Sequence, residues 1–370
     1  MRRSAVLQAT TVAQLVLLAA CSGDPVAPAV PAPEPVPVPV PVPDPNPDPN
    51  PDPLPYPGLG SSKNAGLWAA AGASPTVLRL APDQLLAGGA VSPRTAVYTS
   101  DAALDEPVGL AFDAAGTLWV ASHSDSVVVG FRAADVERSG ATPNAIVISQ
   151  AGRSLSGPTG LAFDAAHRLW VANAESGTLV RYSATQLAQS GAPAPEVMIS
   201  GLGQPAALAF DAAGSLWVSD TRTRTISGFR AAQLQVSGSP APAIVLTGDG
   251  PSLANARGIA FDAAGNLWVA NTAARTIVAF SPAQLAASGT PTPRVVLSAA
   301  EGALPAPVGL AFDSEGNLWA MSTTGILEKF AAADLAASGT RTPAVRLQLT
   351  DYLLLWGIAF WPVPEGLPLN

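Results

Sequence analysis

The sequence predicts an all-β protein built as a six-bladed β-propeller, on three observations. Six tryptophans recur at near-constant spacing, a four-strand pattern repeats around each of them, and an orphan strand at the C-terminal end supplies what the first repeat lacks. The tryptophans are Trp68, Trp119, Trp170, Trp217, Trp268 and Trp319, with gaps of 51, 51, 47, 51 and 51 residues. The chain divides accordingly into a leader (residues 1–20), a proline-rich stalk that begins at Cys21 (21–57) and the propeller (58–370).

The leader starts with Arg2 and Arg3, continues through an apolar run from Thr11 to Ala20 that is too short to span a bilayer, and ends in small residues before Cys21. That is the pattern of an export signal. Cys21 is the only cysteine, so an intrachain disulfide is impossible and packing alone must hold the fold. From Pro31 to Pro57 every second residue is proline, which fixes φ and steers each preceding residue away from helix. The segment reads as a semi-rigid polyproline II spacer; at ~3.1 Å per residue it reaches on the order of 80 Å.

Within the repeats, the stretches Pro107 to Ala121 (PVGLAFDAAGTLWVA), Pro158 to Ala172 (PTGLAFDAAHRLWVA) and Gly258 to Ala270 (GIAFDAAGNLWVA) share one text. G-L-A-F is a first strand and L-W-V-A a second. The D-A-A-G between them suits a tight turn, with Asp113, Asp211 and Asp262 capping backbone amides and Gly116, Gly214 and Gly265 taking a left-handed conformation. A third strand ends on an aromatic residue, as at Val127 to Phe131. A linker such as Ser281 to Gly289 has room for one helical turn closed by glycine, and a fourth strand follows a proline, where a sheet edge tolerates the missing amide.

Four short strands per repeat of about 50 residues fit a ring of radial sheets, each covering its faces against its neighbours. A linear solenoid is the competing arrangement, and the chain ends discriminate between the two. The first repeat opens poorly, at Gly58-Leu59-Gly60-Ser61, whereas Gly357-Ile358-Ala359-Phe360-Trp361 repeats the first-strand text with no tryptophan strand after it. Six blades are complete if that last strand joins the first sheet. Closure also removes the exposed sheet edges that a solenoid would leave.

These repeats look like NHL-type propeller repeats and the related gluconolactonase-like and virginiamycin B lyase propellers, over Gly66 to Trp361. The resemblance implies architecture more than activity, because such propellers include enzymes and binding scaffolds. In the gluconolactonase-like members, Asn, Asp and Glu hold a divalent metal over the channel, several of them between the proline and glycine that open the innermost strand. The matching positions here are Val108, Thr159, Ala206, Arg257, Val308 and Trp356, without a carboxylate or amide, so no cofactor or metal is expected. The lyase resemblance implies a channel histidine and glutamate. His167 falls on a turn position, and His123 follows a second strand with no carboxylate at an equivalent blade position. Leu18-Ala19-Ala20-Cys21 likewise resembles the lipobox of bacterial lipoproteins, which implies cleavage before Cys21, its acylation and, with Ser22 following, outer-membrane sorting in a Gram-negative source.

The repeated aspartates and tryptophans read as turn and packing residues, not as calcium ligands or a stacking platform. Departures from the repeat are better ligand-binding candidates, and Arg257 and Trp356 stand out as a cation and an aromatic face for an anionic or sugar-like ligand. Thr159 shares their position. Three residues after each blade tryptophan lie Ala71, Ser122, Asn173, Asp220, Asn271 and Ser322. Asn173, Asp220 and Asn271 would give a polar ring on the same face, against the alternative that these residues cap strand ends.

Setting aside Arg2, Arg3 and the acidic residues before position 58 (Asp24, Glu34, Asp44, Asp48 and Asp52), 17 basic and 22 acidic residues remain. A net charge of about −5 without a basic stripe excludes a nucleic-acid surface. No Ser-His-Asp set or phosphate-cradling glycine loop is present. The resulting expectation is a monomeric, envelope-anchored, non-enzymatic module that binds a protein, glycan or small ligand and is held to the membrane by its lipid. The alternative is a degenerate gluconolactonase-like hydrolase or a virginiamycin B lyase-like enzyme.

Overall fold

The structure, a computed structural model, describes residues 63–86, 88–100, 103–143, 145–299, 304–350, 352 and 354–364. The leader, Cys21, the stalk and the weak opening segment at Gly58 to Ser61 lie outside the described residues. Among those described, no helix is long and apolar enough to cross a membrane.

Six antiparallel sheets form six blades. Blade 2 runs from its innermost strand outward as Pro107–Phe112, Leu118–Ser122, Val127–Phe131 and Ile146–Ile148. Blades 3, 4, 5 and 6 repeat this order, opening on Pro158–Phe163, Pro205–Phe210, Ala256–Phe261 and Pro307–Phe312. Blade 1 takes its innermost strand, Leu355–Trp361, from the C-terminal end, and that strand pairs with Gly66–Ala71 through Leu67 opposite Phe360 and Trp68 opposite Ala359. The ring therefore closes where the orphan strand predicts.

The ring also closes a second time, at its rim, which the sequence reading did not foresee. The linker before each outer strand crosses to the preceding blade and pairs with that blade's outer strand in parallel. Gly140–Thr142 adds to blade 1, Gly339–Arg341 to blade 5 and Gly89–Val91 to blade 6, while Gly191, Gly238 and Gly289 make single bridges to blades 2, 3 and 4. The serine before each of five of these glycines accepts a hydrogen bond from the neighbouring outer strand, as Ser190 Oγ does from Val147 N (3.0 Å) and Ser288 Oγ from Val245 N (3.0 Å). Amides that would face solvent as an open edge are thus capped. The linker glycines close no helical turn. The one-turn 3₁₀ helices that do form, such as Gln284–Ala286, precede them.

The repeated aspartate is structural. Asp262 Oδ1 accepts from Ala264 N and Asn266 N, and its Oδ2 accepts from Trp268 Nε1 at 2.8 Å. Asp113, Asp164, Asp211 and Asp313 do the same for Trp119, Trp170, Trp217 and Trp319. One carboxylate thereby shapes the hairpin turn and satisfies an otherwise buried indole donor. Blade 1 has no such aspartate, and Trp68 Nε1 donates to the carbonyl of Asn64 instead. His167 occupies the turn of blade 3 in a left-handed conformation, φ 57°, exposed to solvent.

Each tryptophan is almost wholly buried between its own blade and the next. In five of the six junctions it meets a phenylalanine of the adjacent inner strand edge to face, with centroids 6.1–6.4 Å apart. The sixth junction holds Trp119 and Phe163 in one apolar cluster. Six such clusters, one per junction, make up the core. The core thus lies between the blades, and the inner strands line a channel on the axis.

Candidate functional site

The six inner strands line the channel in three tiers. Val108, Thr159, Ala206, Arg257, Val308 and Trp356 form the mouth. Gly109, Gly160, Ala207, Gly258, Gly309 and Gly357 form a neck, and Leu110, Leu161, Leu208, Ile259, Leu310 and Ile358 form an apolar floor. Three successive residues face one cavity because a β-bulge interrupts the pairing of each inner strand at the mouth, between Ala256 and Ile259 in blade 5 and between Pro107 and Leu110 in blade 2. The repeated Pro-x-Gly text is the sequence form of that bulge.

The neck glycines bring neighbouring strands together. A methyl group on Gly258 would fall 2.4 Å from the carbonyl oxygen of Val308, and one on Gly309 2.4 Å from that of Trp356. Blade 4 departs from this rule with Ala207. There Ser219 stands where four other second strands have alanine and blade 6 has Met321; its hydroxyl accepts from Ala207 N (3.0 Å) and donates to the carbonyl of Arg257 (2.6 Å). Two paired departures from the repeat therefore seat the strand that carries Arg257.

Arg257 and Trp356, separated on the ring by blade 6, meet across the mouth: the guanidinium carbon lies 4.8 Å from the indole centroid. The guanidinium has no ion pair or hydrogen bond among the described residues. Burial pulls its pKa below the usual arginine value. The indole is seated from behind by Gly72, where a methyl group would fall 2.6 Å from Nε1. One consequence differs from the sequence reading. Arg257 already occupies a face of Trp356, so the pair offers a ligand a cation more than an open aromatic platform.

Thr159 also lines the mouth, but its hydroxyl donates to the carbonyl of Pro205 at 2.9 Å. The polar ring anticipated at Asn173, Asp220 and Asn271 does not line the channel. All three side chains are buried and tie down connections at strand ends. Asn173 accepts from Ser156 N and donates to the Ser154 carbonyl; Asp220 accepts from the amides of Gly203, Gln204, Arg222 and Thr223; Asn271 donates to Thr276 Oγ1. Loop amides beneath the surface require acceptors, and the strand-end position supplies them.

Above the mouth the cavity widens to include Glu106, His123, Gln204 and Thr221. These residues sit in connections outside the repeated text, so sequence periodicity gives no handle on Glu106, Gln204 or Thr221. His123 Nδ1 is buried without a hydrogen-bond partner. A methyl group on Gly157 would touch both the His123 ring (2.8 Å) and the Glu175 side chain (2.6 Å), which places a carboxylate near His123 from the next blade.

A divalent metal of the gluconolactonase-like kind does not suit this mouth. Its six positions supply one hydroxyl and one cation, where a hard ion needs several oxygen ligands. Among the described residues no cluster of three or more His, Cys, Asp or Glu is placed to hold a metal.

No protein-family model and no curated protein matches the sequence. Solved structures do match the fold. One from a nidogen/laminin complex is 17% identical, with a TM-score of 0.54, covering 79% of this chain and 96% of that one. A protein of unknown function from Bacteroides caccae is 11% identical, with a TM-score of 0.54 and coverage of 79% and 97%. Virginiamycin B lyase from Staphylococcus aureus is 10% identical over 61% of this chain and 67% of its own, with a TM-score of 0.46. The first two show a likeness of fold alone.

Proposed function

We propose that this protein is an envelope-displayed binding module: a propeller held off the membrane by a lipid at Cys21 and a proline-rich spacer, taking its ligand at the channel mouth without transforming it. The observation that carries the binding site is the Arg257–Trp356 pair, a half-buried cation with no acidic partner among the described residues, placed where the other blades carry no charge. A partly desolvated cation without a counter-ion is a site that an anion would complete. The lipobox-like Leu18-Ala19-Ala20-Cys21 and the alternating prolines support the anchor and the display. Expression in a Gram-negative host checks the anchor. The wild-type chain should fractionate with outer membranes and carry acyl groups by mass spectrometry, and Cys21→Ala should release it; an unmodified, freely soluble wild-type chain would refute this part.

A second reading, a lyase-like or hydrolase-like enzyme, is favoured by His123 at the wider part of the mouth with Glu106 and Glu175 close by. It requires turnover that disappears in His123→Ala. Ligand binding that survives His123→Ala, with no product formed, supports the binding module instead.

A further inference from the structure

The chemistry of the channel narrows the ligand to one class, an inference that rests on the mouth being the binding site. Arg257 is the only charged residue among those lining the channel itself. Its guanidinium presents hydrogen-bond donors in a planar fork that suits a carboxylate, and no side chain of the described residues engages it except the indole of Trp356. Beneath it the character changes abruptly. The neck is glycine and alanine backbone, and the floor is six leucine and isoleucine side chains, each at most 7% exposed. The one hydroxyl facing the channel, on Thr159, donates within the protein. Below Arg257 a sugar would find no free side-chain partner for its hydroxyls, only backbone groups on the open edge of the inner strands, whereas an alkyl chain would pack on the leucine and isoleucine floor.

Size narrows the class further. The strands are drawn together at the neck, where glycine lets one inner strand's backbone approach the next. The channel pocket, open to solvent at its mouth, holds about 110 Å3, less than the ~150 Å3 cavity that accommodates a benzene molecule. So narrow a bore suits a slender, unbranched chain better than a ring or a branched one.

We propose that the channel binds a short straight-chain monocarboxylate, its carboxylate on Arg257 at the mouth and its methylenes passing the glycine neck toward the leucine floor. The arrangement makes two demands that a generic anion site does not. Affinity should grow with chain length, because each methylene leaves water for an apolar wall. It should then stop growing once the bore is full.

Calorimetric titration of the full-length chain carrying Cys21→Ser tests this with straight-chain monocarboxylates from acetate to octanoate, the matching primary alcohols, and glucose. Affinity should rise about fourfold per methylene over the first members and level off before octanoate. The alcohols and glucose should bind at least tenfold more weakly. Arg257→Met should abolish carboxylate binding, and Arg257→Lys should retain part of it, with thermal melts confirming that both variants fold. Should alcohols or glucose equal the carboxylates while Arg257→Met or Trp356→Ala still weakens binding, the ligand class is wrong and the mouth remains the site. Should no compound bind, or should binding ignore both substitutions, the ligand class and the site fail together.

Discussion

The inner strand of each blade has two ends with opposite habits. At its far end, the Asp–Trp turn is made the same way in five blades: one carboxylate accepts two backbone amides and an indole N–H, and in four of these blades a phenylalanine of the next inner strand meets that indole edge to face. At its near end, the channel mouth, the six positions hold valine, threonine, alanine, arginine, valine and tryptophan. Packing between identical neighbours selects one solution and repeats it. A pocket on the axis of the ring is built once from six contributions, so each blade is free to differ, and recognition resides in the differences.

Perturbing the uniform end should have the largest effect on stability and the least on the mouth. Trp170→Ala removes a buried indole together with its contacts to Phe210 and Asp164 and should cost ~3–5 kcal/mol, read from chemical denaturation. Affinity at the mouth, measured on the folded protein, should be unchanged. If it falls in proportion to stability, the two ends are not independent.

A smaller loss is expected at the neck. Gly309→Ala places a methyl group 2.4 Å from the Trp356 carbonyl, and the forced backbone shift should cost ~1–3 kcal/mol. The same substitution is already present naturally in blade 4 as Ala207, where Ser219 bridges the strands. Ser219→Ala should therefore weaken ligand binding by releasing the carbonyl of Arg257, and Arg257→Lys should respond less in that background if Ser219 acts by positioning Arg257.

Gly72→Ala acts on the mouth from behind. Its methyl group would fall 2.6 Å from the Trp356 indole and 2.9 Å from the carbonyl of Leu354, to which Gly72 N donates, so it should part the indole from Arg257 and lower the melting temperature somewhat. Losing a cation–π contact of ~0.5–2 kcal/mol corresponds to a few-fold to thirtyfold weaker binding. Wild-type affinity in this variant would show that the stack is dispensable.

The smallest effect is confined to pH. Glu328 in the third strand of blade 6 stands where Val129, Val180 and Val278 pack in other blades; it is buried, accepts from Leu304 N and lies 3.6 Å from Arg346 Nε. Desolvation raises its pKa above the ordinary 4.5, outweighing that hydrogen bond and Arg346. A carboxyl raised in the folded state binds more protons folded than unfolded, so stability should decline as pH rises from about 4.5 through the folded pKa and flatten above it. Glu328→Gln should remove that slope, measured as the difference in melting temperature between wild type and variant across the pH range. An unchanged slope would assign the dependence to other groups.

The regular end was legible because its cause is local and repeated. Asp262, Gly265 and Trp268 fall within seven residues, and the pattern recurs. The closing strand was legible because Gly357 to Phe360 copies a text seen five times before. The rim strands were missed because the Ser-Gly that recurs with the blades at Gly140, Gly191, Gly238, Gly289 and Gly339 reads locally as a turn, and one to three residues do not say which blade they pair with. Asn173, Asp220 and Asn271 were misplaced because strand-end position does not say whether a polar side chain faces a channel or a loop's amides. Arg257 and Trp356 were found as departures from the repeat. That they would stack on one another, with Ser219 and Gly72 behind them, depends on how the bulges aim them across the axis.

The central claim is that Arg257 receives an anion whose chain enters the bore. Crystals of the full-length chain carrying Cys21→Ser, soaked with hexanoate, test it directly. The account predicts carboxylate oxygens within hydrogen-bond distance of the Arg257 guanidinium, the indole of Trp356 still stacked against it, and the alkyl chain directed past Gly258 and Gly309 toward Leu310. Hexanoate bound elsewhere on the propeller, or lying at the mouth with its carboxylate turned away from Arg257, would contradict it.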